Sequence, residues 1–592
     1  MSSIGDQFLD RLVDEGYTHC FFLAGGNIMH LLNGARTRFD TRPFVHEVGA
    51  CIAAEYFNMV SPDSKAFVLV TAGPGLTNLM TGLAGAWLES RELLVVGGQV
   101  KSQDLSRGQV RQNGIQEIDG VTLASSVTSL SRRIESQSDS EEFWEAFSRL
   151  DGRKGPVFVE WCLDTQARSF DNDAALNEDV ASPKPFKLPL GEDMQEVSHM
   201  LQGAERPLLL IGSGLNREGF RSNLRKLEEL GIPMLFSWNA ADYLASDHPL
   251  YFGRPNTWGQ LHSNLILQQC DLLISVGARL GLQSTGFAWE GFVPIGKVVQ
   301  IDVDADELRS GHPKKALTIK ADAMSFLSEL LALELDGDWR EWRAFSARVR
   351  DLCPKPSTVS SRNSRFIQPQ SLMEKFGSLI PRNSQITPSS SGGAFTVSMQ
   401  CLELTSEMRL ISNKGLASMG YGLSGAIGMA IANPALPTIC IEGDGGFAQN
   451  IQELGTVAKN NLNLKIFVFA NGGYASIRMT QRNYFDGAWV GCDSSTGLGL
   501  PELAKLADAF GLNYLKLDTK SWESQVTDAF QDPGPLLVEV PIDPEQSYLP
   551  KIGSKVAANG GMISNPLHRM EPQLDAEIRK VVERYLIQGG IS

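Results

Sequence analysis

The sequence predicts an α/β protein built from three doubly wound parallel sheets. Three observations predict it. Short apolar runs of strand length alternate with segments of helical period along most of the chain, which is the pattern of parallel sheets with helical crossovers. That alternation breaks twice, at a polar Asp-, Asn- and Pro-rich stretch over 168–189 and at CPKPSTVSSRNSR over 353–365, and both breaks read as linkers. The blocks they leave, 1–168, 190–350 and 366–548, are each of domain size, with a tail over 549–592.

Bulk properties narrow the function classes. At 592 residues the chain is too long for one core. Its 42% hydrophobic and 20% charged content is that of a globular protein outside the membrane. A net charge of −15 with no basic cluster speaks against nucleic acid as a partner. The eight cysteines are scattered without metal-ligand spacing and mostly lie in apolar runs, so reduced core residues and a cytoplasmic location are expected. MSSIGDQFLDRLVDEG reads as an amphipathic helix and not as a signal peptide, and no apolar run reaches spanning length.

In chain order, the first block has a strand near Cys20–Leu23 that ends in Ala24-Gly25-Gly26. Phe44 and Val45 then end a strand, and Glu47 opens a helix. An acid at that place serves as a cap or dipole partner as readily as a catalytic group. A strand over 68–71 runs into AGPGLTN, with Gly73, Pro74 and Asn78. A strand over 93–98 ends in Gln99, and the loop RQNGIQEID (111–119) carries Gln116. The second block opens on RPLLLIGSG, a strand entering Gly212-x-Gly214, without the full GxGxxG. It continues with DLLISVGARLGLQSTG (Arg279) and VVQIDVDADE (Asp302).

The third block holds the densest signal. SSSGG (Ser391, Gly392) and GLASMGYG (Ala417, Met419) precede an apolar run, 438–441, that turns through Glu442-Gly443-Asp444-Gly445-Gly446. A helical pattern over 448–459 leads to a second buried strand, 464–470, which stops at Asn471-Gly472-Gly473-Tyr474. This is a strand–helix–strand unit with a right-handed crossover, and ligands bind beyond the carboxyl ends of such strands. Asp444 and Asn471 stand at those ends. Two oxygen ligands there suit a hard cation such as Mg²⁺ that takes its remaining ligands from phosphate and water. The glycines let backbone N–H groups approach a diphosphate.

GDG followed 27 residues later by Asn-Gly-Gly resembles the signature of the thiamine diphosphate enzymes, and the chain is similar in all three blocks to their acetohydroxyacid (acetolactate) synthase-like group. One departure is Ala470, where the family has the first Asn of a pair. The resemblance implies three Rossmann-like domains: pyrimidine-binding, a middle FAD/nucleotide-binding-like domain, and diphosphate-binding. It implies that Asp444, Asn471 and the Gly473 carbonyl hold Mg²⁺ against the cofactor diphosphate. Glu47 would bond N1′ of the aminopyrimidine, and its 4′-imino group would then remove the thiazolium C2 proton. Met419 would be the wedge that bends the cofactor, the Ala417 carbonyl would accept from its amino group, and Gln116 would stand near the reacting carbon. A plain core Met and a solvated loop amide are the bland readings of the last two side chains. Arg279 would meet a flavin diphosphate and Asp302 an adenosine hydroxyl, giving FAD as a further cofactor.

The implied activity is decarboxylation of a 2-keto acid, most simply pyruvate, with carboligation of the resulting enamine to a second carbonyl compound. Thr480 stands where biosynthetic members carry a Trp. The pocket wall there is then small and polar, and with Arg478 and Gln481 nearby the site would hold a larger, hydroxyl-rich or charged acceptor, such as a nucleotide-linked keto sugar. A plain 2-keto acid decarboxylase, an oxidase or C–C hydrolase, and a non-catalytic cofactor-binding regulatory protein are the other readings. A homodimer or homotetramer with sites between subunits is implied, and the tail is expected to fold over the active site.

Overall fold

A computed structural model describes residues 2–150, 152–171, 188–389, 392–556 and 562–591. It contains three all-parallel sheets. The first comprises β1 (Tyr17–Phe22), β2 (Asp40–Pro43), β3 (Lys65–Val70), β4 (Leu93–Gln99), β5 (Leu130–Ile134) and β6 (Pro156–Cys162), in the order β2-β1-β3-β4-β6-β5. The second comprises β7 (Pro207–Ile211), β8 (Met234–Phe236), β9 (Leu272–Val276), β10 (Lys297–Asp302) and β11 (Leu317–Lys320), in the order β11-β10-β9-β7-β8. The third comprises β12 (Gln385–Pro388), β13 (Arg409–Leu410), β14 (Thr438–Gly443), β15 (Leu464–Ala470), β16 (Asn513–Lys516) and β17 (Leu536–Pro541), in the order β13-β12-β14-β15-β17-β16. Central strands such as β4 and β14 are buried along their whole length, as sheets covered on both faces require.

The first and third sheets have the same strand order. Their equivalent helices, Glu47–Val60 between β2 and β3 and Tyr421–Ala432 between β13 and β14, pack against each other. Backbones come close there because the contact face is small: a Cβ at Gly428 would strike the carbonyl of Ala53, and one at Gly425 the ring of Tyr56. One hydrophobic core consequently runs through both domains, from Phe21 and Ala54 to Leu423, Val468 and Leu537. Inside it, Glu55 (0% exposed) pairs with Arg91 at 2.6 Å and accepts from the Tyr421 hydroxyl at 2.5 Å.

One expectation is corrected. The single helix over 448–459 is a 3₁₀ turn at Ile451–Glu453 and a helix at Leu454–Lys459, preceded by a separate turn of helix at Asp444–Phe447. The break falls at 448–450, where Asn450 is a poor helix former. The stretch expected to fold over the active site lies partly outside the described residues, and the tail continues beyond it. Its helices Ala576–Val582 and Arg584–Gln588 dock on the middle domain, where Gln269 donates to the Val582 carbonyl at 2.7 Å and accepts from the Tyr585 N–H at 3.0 Å. The segment before them reaches the third domain, where the Pro550 carbonyl accepts from Gln400 Nε2 at 2.8 Å and Lys551 Nζ lies 3.8 Å from Met479 Sδ, while the Ile552 N–H donates to the Thr257 carbonyl of the middle domain at 3.0 Å.

Candidate active site

Chain reversals at the carboxyl ends of β14 and β15 build the first half of the site. These strands are register neighbours, Gly443 beside Phe469, so Asp444 and Asn471 leave the sheet side by side. Both are nearly buried. Asp444 accepts from the Gly445 N–H at 2.8 Å and the Gly472 N–H at 2.7 Å. Burial pushes its carboxyl up to about 6, against the pull of these N–H groups and of Arg478. Gly473 (φ 144°) forms a bridge with Asp493, where a Cβ would collide with the Cys492 carbonyl, so glycine is required. Its own carbonyl takes the Ala475 N–H at 3.1 Å. The Tyr474 ring lies over Gly445, and Gly392 lies against Ser476. Ser391 lies outside the described residues.

The donor set is one carboxylate, one amide oxygen and one carbonyl. Among the described residues no group of three His, Cys, Asp or Glu side chains could hold a metal. An ion here would therefore draw on outside oxygens, which fits Mg²⁺ with a diphosphate and not a zinc-type cage. Arg478 is placed differently from its expected role on a pocket wall. It is 3% exposed, and Nη2 donates to the Asn471 carbonyl at 2.7 Å and to Asn471 Oδ1 at 3.3 Å. Thr480 is exposed, and its hydroxyl donates back to the Ser476 carbonyl at 2.9 Å. Gln481 pins the following loop through both its amide atoms to Val490.

The second half lies in the first domain. Glu47 is the first residue of its helix, after a cap by the His46 ring, and is 4% exposed. Its Oε2 accepts from Asn78 Nδ2 at 3.0 Å. Asn78 ends the helix Pro74–Asn78, which Pro74 starts and Gly73 (φ 65°) precedes. The backbone of Gln116 (φ 61°) abuts Gly73, leaving the residue exposed. Gly25 packs on Thr71, while Gly26 faces open space.

Glu453 links the halves within one chain and was missed in the sequence. It accepts the N–H groups of His46 (2.9 Å) and Val45 (3.4 Å) and the Thr456 hydroxyl (2.7 Å). No hydrogen bond among the described residues joins Glu47 to Asp444 or Asn471. Ala417 adopts φ 52°, and Gln449 Nε2 reaches the Met419 sulfur at 3.8 Å.

In the middle domain the two glycines are closely packed. A Cβ at Gly212 or Gly214 would strike the backbone of Gly277, just past β9. Arg279 is exposed and paired with Glu307 at 2.9 Å, and Asp302 Oδ1 accepts the Asp304 N–H at 2.9 Å. Burial pushes the Asp302 carboxyl up to about 6.

Comparison with known proteins decides the family. Residues 2–123 match the N-terminal TPP binding domain of thiamine pyrophosphate enzymes, 194–330 their central domain and 391–540 their C-terminal TPP binding domain. The chain belongs to the thiamine pyrophosphate (thiamine diphosphate) enzymes. It is 30% identical to the acetolactate synthase isozyme 1 large subunit of Escherichia coli K12 over 94% of this chain and 97% of that one. It is 27% identical to the acetolactate synthase large subunit of Cyanidium caldarium, over 92% and 94% of the two chains. Identity to the isozyme 2 large subunit of Escherichia coli K12 is 28%, over 91% and 95%. No helix among the described residues is long and apolar enough to cross a membrane.

Proposed function

We propose that this enzyme decarboxylates a 2-keto acid, pyruvate in the simplest case, and ligates the remaining acyl unit to a second carbonyl compound, using thiamine diphosphate and Mg²⁺. The observation that carries the reading is the buried pair Asp444 and Asn471 at adjacent strand ends of one domain, matched by the buried Glu47 in a domain of the same strand order. When bound, thiamine diphosphate supplies a carbon nucleophile and an electron sink for loss of CO₂.

The chain's own residues prepare that chemistry. Asp444, Asn471 and the Gly473 carbonyl hold Mg²⁺. Gly443, Gly445, Gly446, Tyr474 and Gly392 would surround the diphosphate. Glu47, with Asn78 fixing one oxygen, holds a proton at the pyrimidine N1′ in a dry setting. The Ala417 carbonyl and the Met419 side chain would support the cofactor from below, between its two rings. Gln116 serves as a polar contact for substrate, on a loop anchored against Gly73.

A homodimer in which one subunit's first domain meets the other's third would bring Glu47 and the Asp444–Asn471 pair, which sit in two domains of the same strand order, to one cofactor. Thr480, exposed and small, leaves room for a large acceptor such as a nucleotide-linked keto sugar. FAD would rest on Arg279 and Asp302 at the ends of β9 and β10, displacing Glu307 from the arginine. A visible spectrum of the purified protein reads this directly, and a colourless protein sinks it. For the reaction, pyruvate is supplied with and without candidate acceptors and products are followed by mass spectrometry. A ligated product appearing only with acceptor supports the proposal. Acetaldehyde as sole product under all conditions makes the enzyme a simple decarboxylase.

A further inference from the structure

Between Ser412 and Gly420 the chain crosses the junction of all three domains, and one first-domain carboxylate holds its near end. Glu89, directly after the helix Met80–Leu88, accepts through Oε1 from the backbone N–H groups of Lys414 and Gly415, the latter at 2.6 Å. Through Oε2 it accepts from the side-chain amide of Asn239 in the middle domain. Two residues on, the buried Arg91 donates to the Ser412 carbonyl at 2.5 Å. The Lys414 side chain runs into the middle domain, where Nζ donates to Ser284 Oγ at 2.9 Å.

The far end is fixed as firmly. The Gly420 N–H donates to Glu442 Oε1 at 3.0 Å, and its carbonyl accepts from Asn450 Nδ2 at 2.9 Å. Between the two anchors remains the bridge 416–419. Asn413 Oδ1 takes the N–H groups of Leu416 and Ala417, each at 3.3 Å. Ala417 sits at φ 52°, a conformation costly for a residue with a Cβ that persists only where surroundings over-determine it.

We infer that Glu89 is a positioning residue for cofactor activation: it fixes the bridge so that Met419 and the Ala417 carbonyl stand where thiamine diphosphate must be bent. The inference rests on the proposed function, because the bridge matters only if the cofactor lies on it. An ionised carboxylate can accept from both sides at once with charge-assisted strength. A glutamine has one oxygen and no charge: its bonds to the two backbone N–H groups become neutral ones, and its amide nitrogen meets Asn239 favourably only if that amide turns over and gives up the Ser412 hydroxyl.

The test is exchange of the thiazolium C2 proton of bound thiamine diphosphate for deuterium, quenched and read by proton NMR. It is run on the wild type, Glu89→Gln and Asn239→Ala with Mg²⁺, at a temperature where circular dichroism shows each protein folded. Cofactor affinity by calorimetry should stay close to wild type, because the diphosphate and metal residues are untouched. Exchange should slow by roughly 10- to 100-fold in Glu89→Gln, the scale of loss from a misplacement of about 1 Å. It should slow less in Asn239→Ala, which keeps both backbone N–H bonds. A folded, cofactor-loaded Glu89→Gln protein that exchanges at the wild-type rate overturns the inference. Should Glu89→Gln not fold, wild-type exchange in Asn239→Ala overturns it equally. Failure of the underlying function looks different: the wild-type protein itself then exchanges no faster than free thiamine diphosphate.

Discussion

Glu47 has a buried carboxylate with one oxygen held by Asn78, and its companion oxygen is the one left to meet a ring nitrogen. Its proposed task needs a group that shares a proton, which glutamine cannot do while keeping nearly the same shape. Glu47→Gln should lower kcat by about 10²- to 10⁴-fold, with cofactor affinity by calorimetry little changed. Unaltered turnover would remove Glu47 from the mechanism. The sequence suggested this residue because an acid follows a strand and starts a helix, but that pattern alone equally fits a cap. Arg478 was harder to read. Helical spacing put it near the pocket, yet its guanidinium turns inward to Asn471, and no periodicity reveals which way a single cation turns. Glu453, Glu55 and Glu89 left no local signal, since each acts on another domain hundreds of residues away.

Elements were more legible than residues, because strand length and apolar runs are local properties. The run at 464–470 is β15 and the run ending in Gln99 is β4, as expected. Helix boundaries after β14 were misread, because side-chain period cannot show that a first helical turn takes in Gly445 and Gly446 or that the ladder breaks at 448–450. The pairing of Glu47–Val60 with Tyr421–Ala432 was invisible, being a contact between segments far apart in sequence. It yields two stability predictions, both measured as the shift in denaturant midpoint. Gly428→Ala places a methyl group against the Ala53 carbonyl, so the helices must part, at about 1–3 kcal/mol for overpacking. Glu55→Ala leaves Arg91 buried without its anion, at about 3–5 kcal/mol. Changes below ~0.5 kcal/mol at either site, the range of ordinary surface substitutions, would mean this helix pair does not hold the domains together.

At the scale of the whole molecule, the equal strand order of the first and third sheets supplies a reason for assembly. Two similar domains per chain can face each other again across a twofold axis, with Glu47 of one subunit opposite Asp444 of another. Mixing inactive Glu47→Gln and Asp444→Ala proteins after reversible dissociation tests this. Half the dimers would be mixed and half their sites intact, so about one quarter of wild-type activity should return if sites form between chains of a twofold dimer. No recovery would place both residues of a site in one chain. The central claim, that Glu47 and the Asp444–Asn471 pair serve a single cofactor, is tested most directly by stripping the protein of thiamine diphosphate and divalent metal and measuring CO₂ release from pyruvate. The account predicts that release stops and returns only when both are added back. Undiminished release from the stripped protein would contradict it.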